Sequence, residues 1–195
     1  VQLSDQDDAE GVENYQSFMK RVAWMSPAEK ADIELAYALS KYHHRWQFRK
    51  ELDKDGNPVR YFEHPRRVCL IIMDELKLIR VPLIVCGLFH DGIEDTELTE
   101  NVLQHKFGST SCTCIKLLSK RPDMGLDKEG YHERLMTIAP WEVLIVKLSD
   151  RLDNLRHMKE AGPDFVKKQL RETRCEYYEL ADRLVEIAPH DVQQA

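Results

Sequence analysis

The chain has 195 residues, 43% of them hydrophobic, and a formal net charge of −6 at pH 7. This length suits one domain with a sizeable core and leaves no room for a second catalytic domain. The acidic balance excludes a protein that coats nucleic acid, because phosphates call for a broadly basic face, although a local basic pocket for a small anion stays compatible with it. No apolar run approaches the ~18 residues of a membrane helix and no signal peptide is evident, so we expect a cytoplasmic protein.

The chain contains five cysteines, Cys69, Cys86, Cys112, Cys114 and Cys175. Their number is odd and three of them lie inside apolar helical patterns, so we predict reduced packing residues. The C-x-C pair could bind a soft metal, but no second pair completes a tetrahedral site.

The N-terminal part predicts an arm followed by two helices. Residues 1–12 are polar and acidic, which is typical of a flexible arm. A short helix is expected over about 13–24. The segment Ser26-Pro27-Ala28-Glu29 has the form of a capping box with proline at the first helical position, which predicts a long helix to about residue 51.

A turn and a histidine-led helix follow. The DKDGN segment at 53–57 has turn chemistry, and Gly56 can supply a positive φ there. Because Pro65 fits the first helical position, we expect His64 to cap a helix that runs to about residue 78. His64 is therefore predicted at the mouth of a helix.

Pro82 begins another helix, and the residues from Leu83 to Phe89 are apolar all round it. Such a run is expected of a central buried helix. His90 and Asp91 follow it directly.

The second half of the chain predicts further helices around one polar loop. The loop, RPDMGLDKEG at 121–130, is a candidate lid. The helices are expected over about 99–107, closed by Gly108, and over 109–120, 140–159 and 164–187. With no β-type alternation, the fold class is predicted to be all-α: one domain over 13–189, followed by a tail at 190–195.

His90 and Asp91 can both converge on one ion, because adjacent helical side chains are ~100° apart. A histidine-aspartate pair alone is weak evidence, since a lone histidine on an apolar element is more often a hydrogen-bonded core residue. Glu94 and Asp95 lie one turn on, and carboxylates packed this densely repel one another unless a cation compensates them. The alternative is a solvated acidic helix end, which the preceding apolar run disfavours.

Two more residues extend this set. His64 could direct its ring into the same core, and Asp150 lies in the apolar stripe of KLSDRLDNL, where an unpaired carboxylate is costly to bury. Two histidines and two carboxylates suit Mn²⁺, Fe²⁺, Co²⁺ or Zn²⁺ and leave positions for water. We therefore predict one divalent cation held by His64, His90, Asp91 and Asp150.

Four blocks of sequence together resemble the hydrolase domain of RelA/SpoT-type enzymes of the HD superfamily, most closely the small stand-alone, mesh-type alarmone hydrolases. The blocks are HRWQFRK (44–50), HP (64–65), HDxxED (90–95) and KLSDRLDNLR (147–156). The resemblance spans about residues 30–160. It implies an HD-type helical bundle that removes the 3′-pyrophosphate of ppGpp or pppGpp, giving GDP or GTP, usually with Mn²⁺.

Carried over position by position, the resemblance implies the four metal ligands already predicted. It implies that Glu94 and Asp95 orient and activate the attacking water, as catalytic residues. Arg49 and Lys50 would contact the nucleotide, and Asn154 its ribose and base side. The alternatives are a solvated helix end for the basic pair and an ordinary exposed polar residue for Asn154.

Three departures fall on the nucleotide-facing side. Trp46 replaces a small residue, the 49–64 connection is longer than in the family, and Asp153 stands where histidine is common. His44 shares an apolar stripe and is expected to support the site rather than to ligate. The chain ends where a synthetase domain begins in bifunctional relatives, so we expect no synthetase activity.

Residues Lys120, Arg121 and Tyr131 flank the loop at 121–130, where they could touch phosphate. The expected partner is a small nucleotide. Two other functions stay open: hydrolysis of another phosphate ester, such as the 2′-phosphate of NADPH, and a catalytically silent nucleotide sensor. A sensor need not keep Glu94 and Asp95, which argues against it.

Overall fold

Helices and one small hairpin make up the computed structural model, which describes residues 13–120, 125–158 and 161–193. The first elements of this part are α1 (Tyr15–Lys20), α2 (Pro27–His43), β1 (Phe48–Leu52), β2 (Pro58–Arg60), α3 (Glu63–Leu70), α4 (Val81–Phe89) and α5 (Gly92–Asp95). They are followed by α6 (Glu100–Leu118), α7 (Lys128–Thr137), α8 (Trp141–Arg156), α9 (Pro163–Glu172), α10 (Tyr178–Ile187) and α11 (His190–Gln193). Two π-helical turns, Ile71–Glu75 and Thr173–Tyr177, extend α3 and join α9 to α10.

The helix boundaries follow the capping chemistry of the sequence. At the start of α2, the Ser26 hydroxyl accepts the Glu29 N–H while the Glu29 carboxylate accepts the Ser26 N–H, so the predicted capping box is confirmed. The predicted break at Gly108 is also confirmed, since this residue has φ 79° and separates two helical halves of α6. A side chain at that φ would be strained.

The chain after α2 corrects one prediction. The long helix ends at His43 instead of continuing to about residue 51, and β1 pairs with β2 in an antiparallel hairpin. Gly56 takes φ 82° in the turn, as expected, and Asp53 accepts two backbone N–H bonds there. Alternate residues of β1 point toward and away from the protein, a pattern that a helical interpretation of FRKEL conceals.

The hydrophobic core centres on α4, which packs against α2, α3, α6 and α8. All residues from Leu83 to Phe89 are buried, so the predicted central helix is confirmed. Gly87 permits the close approach of α3: a Cβ at this position would lie 2.8 Å from the Cys69 sulphur. Four cysteines are buried and all five are free thiols, in agreement with packing roles.

The start of α3 differs from the prediction. The helix begins at Glu63 with Phe62 at the capping position, so His64 is not the cap. It lies inside the first turn, and the capping position falls two residues earlier, at Phe62, which is buried in the core.

At the C-terminal end, the predicted helix over 164–187 corresponds to α9, the π-helical turn and α10. Residues 190–193 form a helical turn in which Val192 is buried, so this part of the expected tail packs on the core. The expected arm at 1–12 lies outside the described residues, as do 121–124 with Arg121 of the expected lid. The all-α class is confirmed, with the hairpin as its local exception. Among the described helices, none is both long and apolar enough to cross a membrane.

Candidate metal centre

The four predicted ligands come from α3, the end of α4 and α8; His64, His90 and Asp150 are buried, and Asp91 lies beside them, partly exposed. The His64 and His90 Nε2 atoms are 3.1 Å apart. Asp91 Oδ2 lies 3.0 Å from His90 Nε2, and Asp150 Oδ1 lies 3.2 Å from His64 Nε2. Atoms that share one first-row ion at about 2.1 Å are about 3 to 3.5 Å apart. The spacing of His64, His90 and Asp150 therefore fits a single cation, and Asp91 adjoins this group through His90.

Hydrogen bonds on the outer side of each ring support this arrangement. His90 Nδ1 lies 2.8 Å from the Gly87 carbonyl oxygen, which can only accept, and His64 Nδ1 lies 2.7 Å from Asp153 Oδ2. Both Nδ1 atoms are therefore donors, and in a neutral ring the Nε2 atom then carries the lone pair. Two lone pairs that face each other need a proton or a cation between them.

The charges in the cluster also indicate that a proton or a cation lies between the two rings. Burial lowers the pKa of His90, but the carboxylates of Asp91 and Asp150 more than offset it and raise this pKa to about 9. A cation that binds between the two rings would compete with a proton for this position. Burial opposes ionisation of Asp150 as well, yet Lys147 and the histidines hold its pKa well below the usual value.

Asp150 is fixed by two neighbours on α8. Lys147 Nζ donates to Oδ2 at 2.8 Å, and Asn154 Nδ2 donates to Oδ1 at 2.5 Å. The Oδ1 atom is also the one that faces His64. Every polar atom of this carboxylate therefore has a partner, so its orientation is set before any cation binds.

Glu94 and Asp95 lie in α5, at the exposed rim of the cluster. The Tyr61 hydroxyl donates to Asp91 Oδ2 at 2.7 Å and lies 3.2 Å from Asp95 Oδ2. Burial, together with the charges of Asp91 and Glu94, raises the pKa of Asp95. Glu94 accepts the backbone N–H of Lys120. The two carboxylates therefore stand beside the ligand cluster but outside it.

The predicted nucleotide contacts divide between two faces of the hairpin. Arg49 points inward and donates from Nη2 to Asn154 Oδ1 at 2.9 Å, which links β1 to α8 beside Asp150. Lys50 is exposed on the opposite face of β1. The structure thus brings Arg49 and Asn154 to the cluster, while Lys50 lies farther from it and lines a cavity beside the hairpin. His44 is buried and stacks on Tyr61 with ring centroids 4.8 Å apart, in a supporting position.

Two cavities adjoin each other beside the cluster. One, of about 290 Å³, is lined by three of the predicted ligands and by both basic and acidic side chains; its cations are Arg49, Lys120, Lys128, Lys147 and Arg151. The other, of about 660 Å³, lies between the hairpin and the start of α9 and has a more apolar wall with Phe48, Met158 and Phe165. Both cavities are lined by Arg49, Tyr61 and Asn154, among others. The cationic cavity suits phosphates and the second suits a flatter, less charged group.

Sequence reasoning missed Tyr61, Arg67 and Lys147. Lys147 precedes Asp150 by three residues, a helical spacing that could have indicated the ion pair. Tyr61 and Arg67 reach the site through α3 and the hairpin, and their partners lie 30 and 86 residues away. No local pattern carries that information.

The helical bundle and its paired histidine and aspartate side chains define a class of helical domains with a buried centre for a divalent cation. A family model described as HD domain matches residues 36–185, and the chain belongs to this family. The HD domain implies a divalent metal, and His64, His90 and Asp150 form a possible site for it.

The relatives confirm the resemblance to RelA/SpoT-type proteins. The chain is 32% identical over 145 residues to the guanosine-3′,5′-bis(diphosphate) 3′-pyrophosphohydrolase MESH1 of Danio rerio, covering 73% of this chain and 76% of MESH1. It is 34% identical over 157 residues to a GTP pyrophosphokinase of Streptomyces coelicolor, and this match covers 78% of the chain but only 18% of that relative.

A solved structure described as a metazoan ortholog of SpoT that hydrolyzes ppGpp has the same fold. Its TM-score to this chain is 0.65, with 84% of this chain and 90% of the other covered. The sequence identity is 20%, so this likeness concerns the fold alone.

Proposed function

We propose that this chain is a metal-dependent phosphohydrolase that removes the 3′-pyrophosphate of ppGpp or pppGpp, with Mn²⁺ as its cation. The observation that carries the proposal is the convergence of His64, His90, Asp91 and Asp150 at the junction of a cationic and a more apolar cavity. The name of MESH1 supports the choice of substrate.

The proposed reaction consumes one water. The water oxygen bonds to the phosphorus attached to O3′, the bond between that phosphorus and O3′ breaks, and O3′ takes up a proton. The products are pyrophosphate and GDP or GTP. When bound, the divalent cation supplies Lewis acidity, which makes hydroxide available near neutral pH and offsets phosphoryl charge.

The chain's own residues account for the remaining steps. Glu94 and Asp95 orient the water and carry its proton, as their place at the rim of the cluster allows. Tyr61 holds Asp91 and Asp95 at a fixed separation through its hydroxyl. No covalent enzyme intermediate is required.

Substrate orientation follows from the two cavities. Lys120 and Arg151 lie on the cationic side, where they would bind the departing pyrophosphate. Arg49 and Asn154 stand at the boundary and would bind the ribose and the 5′-phosphates, with the base between the hairpin and Phe165. Lys50, exposed on β1 where it lines the second cavity, would contribute by attracting the anionic nucleotide.

A hydrolysis assay with Mn²⁺ and a panel of ppGpp, pppGpp and NADPH tests the proposal, with products identified by chromatography. We expect pyrophosphate and GDP from ppGpp, and no turnover by Asp91→Asn, which keeps the shape of the side chain. If the protein releases orthophosphate from NADPH but no pyrophosphate from ppGpp, the substrate is NADPH and the proposed substrate is wrong. Nucleotide binding without any turnover would identify a sensor instead.

A further inference from the structure

A second carboxylate, Asp153, stands behind the metal centre. It is 1% exposed, and its Oδ2 atom accepts the Nδ1–H of His64 at 2.7 Å. His64 is the histidine whose Nε2 atom faces both His90 and Asp150. Asp153 therefore touches the predicted centre only through the far side of one ligand ring.

Arg67 holds this carboxylate in place. Its Nε atom donates to Asp153 Oδ1 at 2.8 Å and a terminal nitrogen donates to Oδ2 at 3.2 Å, so the arginine engages both oxygens. Arg67 also pairs with Glu51 of β1 at 2.9 Å. The chain of contacts Glu51–Arg67–Asp153–His64, which is partly buried at its hairpin end, thus connects the hairpin to a ligand ring.

We propose that Asp153 is the positioning residue of the metal centre: it fixes the orientation of the His64 ring and strengthens His64 Nε2 as a ligand. This inference rests on the proposed metal centre. A carboxylate that accepts the outer N–H of a ligating histidine makes that ring a better donor, and such partners commonly contribute 10–100-fold to metal affinity. Arg67 keeps the carboxylate aligned with the ring.

Mn²⁺ affinity measured by titration calorimetry on the intact chain tests this role. For Asp153→Ala we expect an affinity about 10–100-fold below that of the unaltered protein. Asp153→Asn should lose less, because its amide oxygen can still accept the His64 Nδ1–H. The matched control is Asp74→Asn. Asp74 lies on the π-helical turn after α3, and its carboxylate accepts two hydrogen bonds from the Arg21 guanidinium in a similar way.

A spectroscopic readout separates positioning from a general structural role. In Zn²⁺-loaded protein with ¹⁵N-labelled histidine, His64 Nδ1–H should give a slowly exchanging proton signal that is retained in Asp74→Asn and lost in Asp153→Ala. If the alanine variant does not fold, Asp153→Asn serves for the same comparison. In Asp153→Asn the His64 Nδ1–H signal should shift.

The outcomes separate the two proposals. If the unaltered protein binds Mn²⁺ and the Asp153 variants bind it within twofold of that affinity, the role of Asp153 is overturned and the metal centre stands. If the unaltered protein binds no divalent cation, the metal centre and this inference fail together. A loss of affinity equal in Asp74→Asn and Asp153→Asn also overturns the specific role of Asp153.

Discussion

The metal-ligand side of the site and its hairpin side are built in different ways. The ligands His64, His90 and Asp150 are at most 6% exposed, and each is held by further hydrogen bonds from the core. On the hairpin side, Phe48 and Leu52 are each 54% exposed and Trp46 is 79% exposed. The buried side is preorganised for one kind of chemistry, whereas the exposed side can change with little cost to the fold. Substitutions on the two sides should therefore have effects of different size and kind.

Asp91→Asn should have the largest effect. The substitution removes a charged ligand but keeps a similar shape, so kcat/KM for ppGpp should fall at least about a thousandfold, or about 4 kcal/mol of transition-state stabilisation. The fold should persist, since Asp91 is partly exposed. Steady-state kinetics with Mn²⁺ measures the loss, and circular dichroism provides the control. If the variant keeps more than a tenth of normal activity, the proposal that the metal-ligand side carries out catalysis is wrong.

Asp95→Asn should come next, with kcat about 10²–10⁴-fold lower, because Asp95 is proposed to carry the proton of the water without ligating the cation. Mn²⁺ affinity should stay within about threefold, which distinguishes this residue from Asp91. Glu94→Gln tests the other carboxylate of the proposed catalytic pair by the same two measurements. If Asp95→Asn abolishes Mn²⁺ binding, Asp95 is itself a ligand and the assignment changes.

Arg49→Ala tests the boundary between the two sides. It removes one charge-assisted contact to the nucleotide and releases Asn154, so KM should rise about tenfold while kcat falls less. Lys50→Ala removes a neighbouring charge that lines only the second cavity and is the comparison, with an expected rise of threefold or less. Equal effects of the two substitutions would show that both faces of the strand meet the nucleotide.

Trp46→Ala should have the smallest effect. The ring is mostly exposed and contacts the Arg45 guanidinium, 6.0 Å from the ring centroid. The free energy of unfolding should change by no more than about 0.5 kcal/mol, as measured by urea denaturation. KM for ppGpp should change less than twofold. A tenfold rise in KM would instead place Trp46 in the nucleotide contact and make the exposed side more selective than its packing suggests.

The helical bundle and the ligand set could be predicted from the sequence because both depend on local patterns. The apolar run before His90, the capping box at Ser26 and the break at Gly108 each act within a few residues. Asp150 stood out because a carboxylate in an apolar stripe needs a partner. The hairpin was missed because FRKEL carries no strong alternation of apolar and polar residues, and pairing with β2 decides its conformation.

The sequence by itself determined the class of fold, the central helix and the types of side chain available to bind a cation. Only the tertiary structure decided that Tyr61 joins Asp91 to Asp95, that Lys50 faces away from the cluster and that Asp153 holds the ring of His64. These contacts join residues up to 89 positions apart. They exist because α3, α4 and α8 pack together, and packing of distant segments leaves no periodic trace in the sequence.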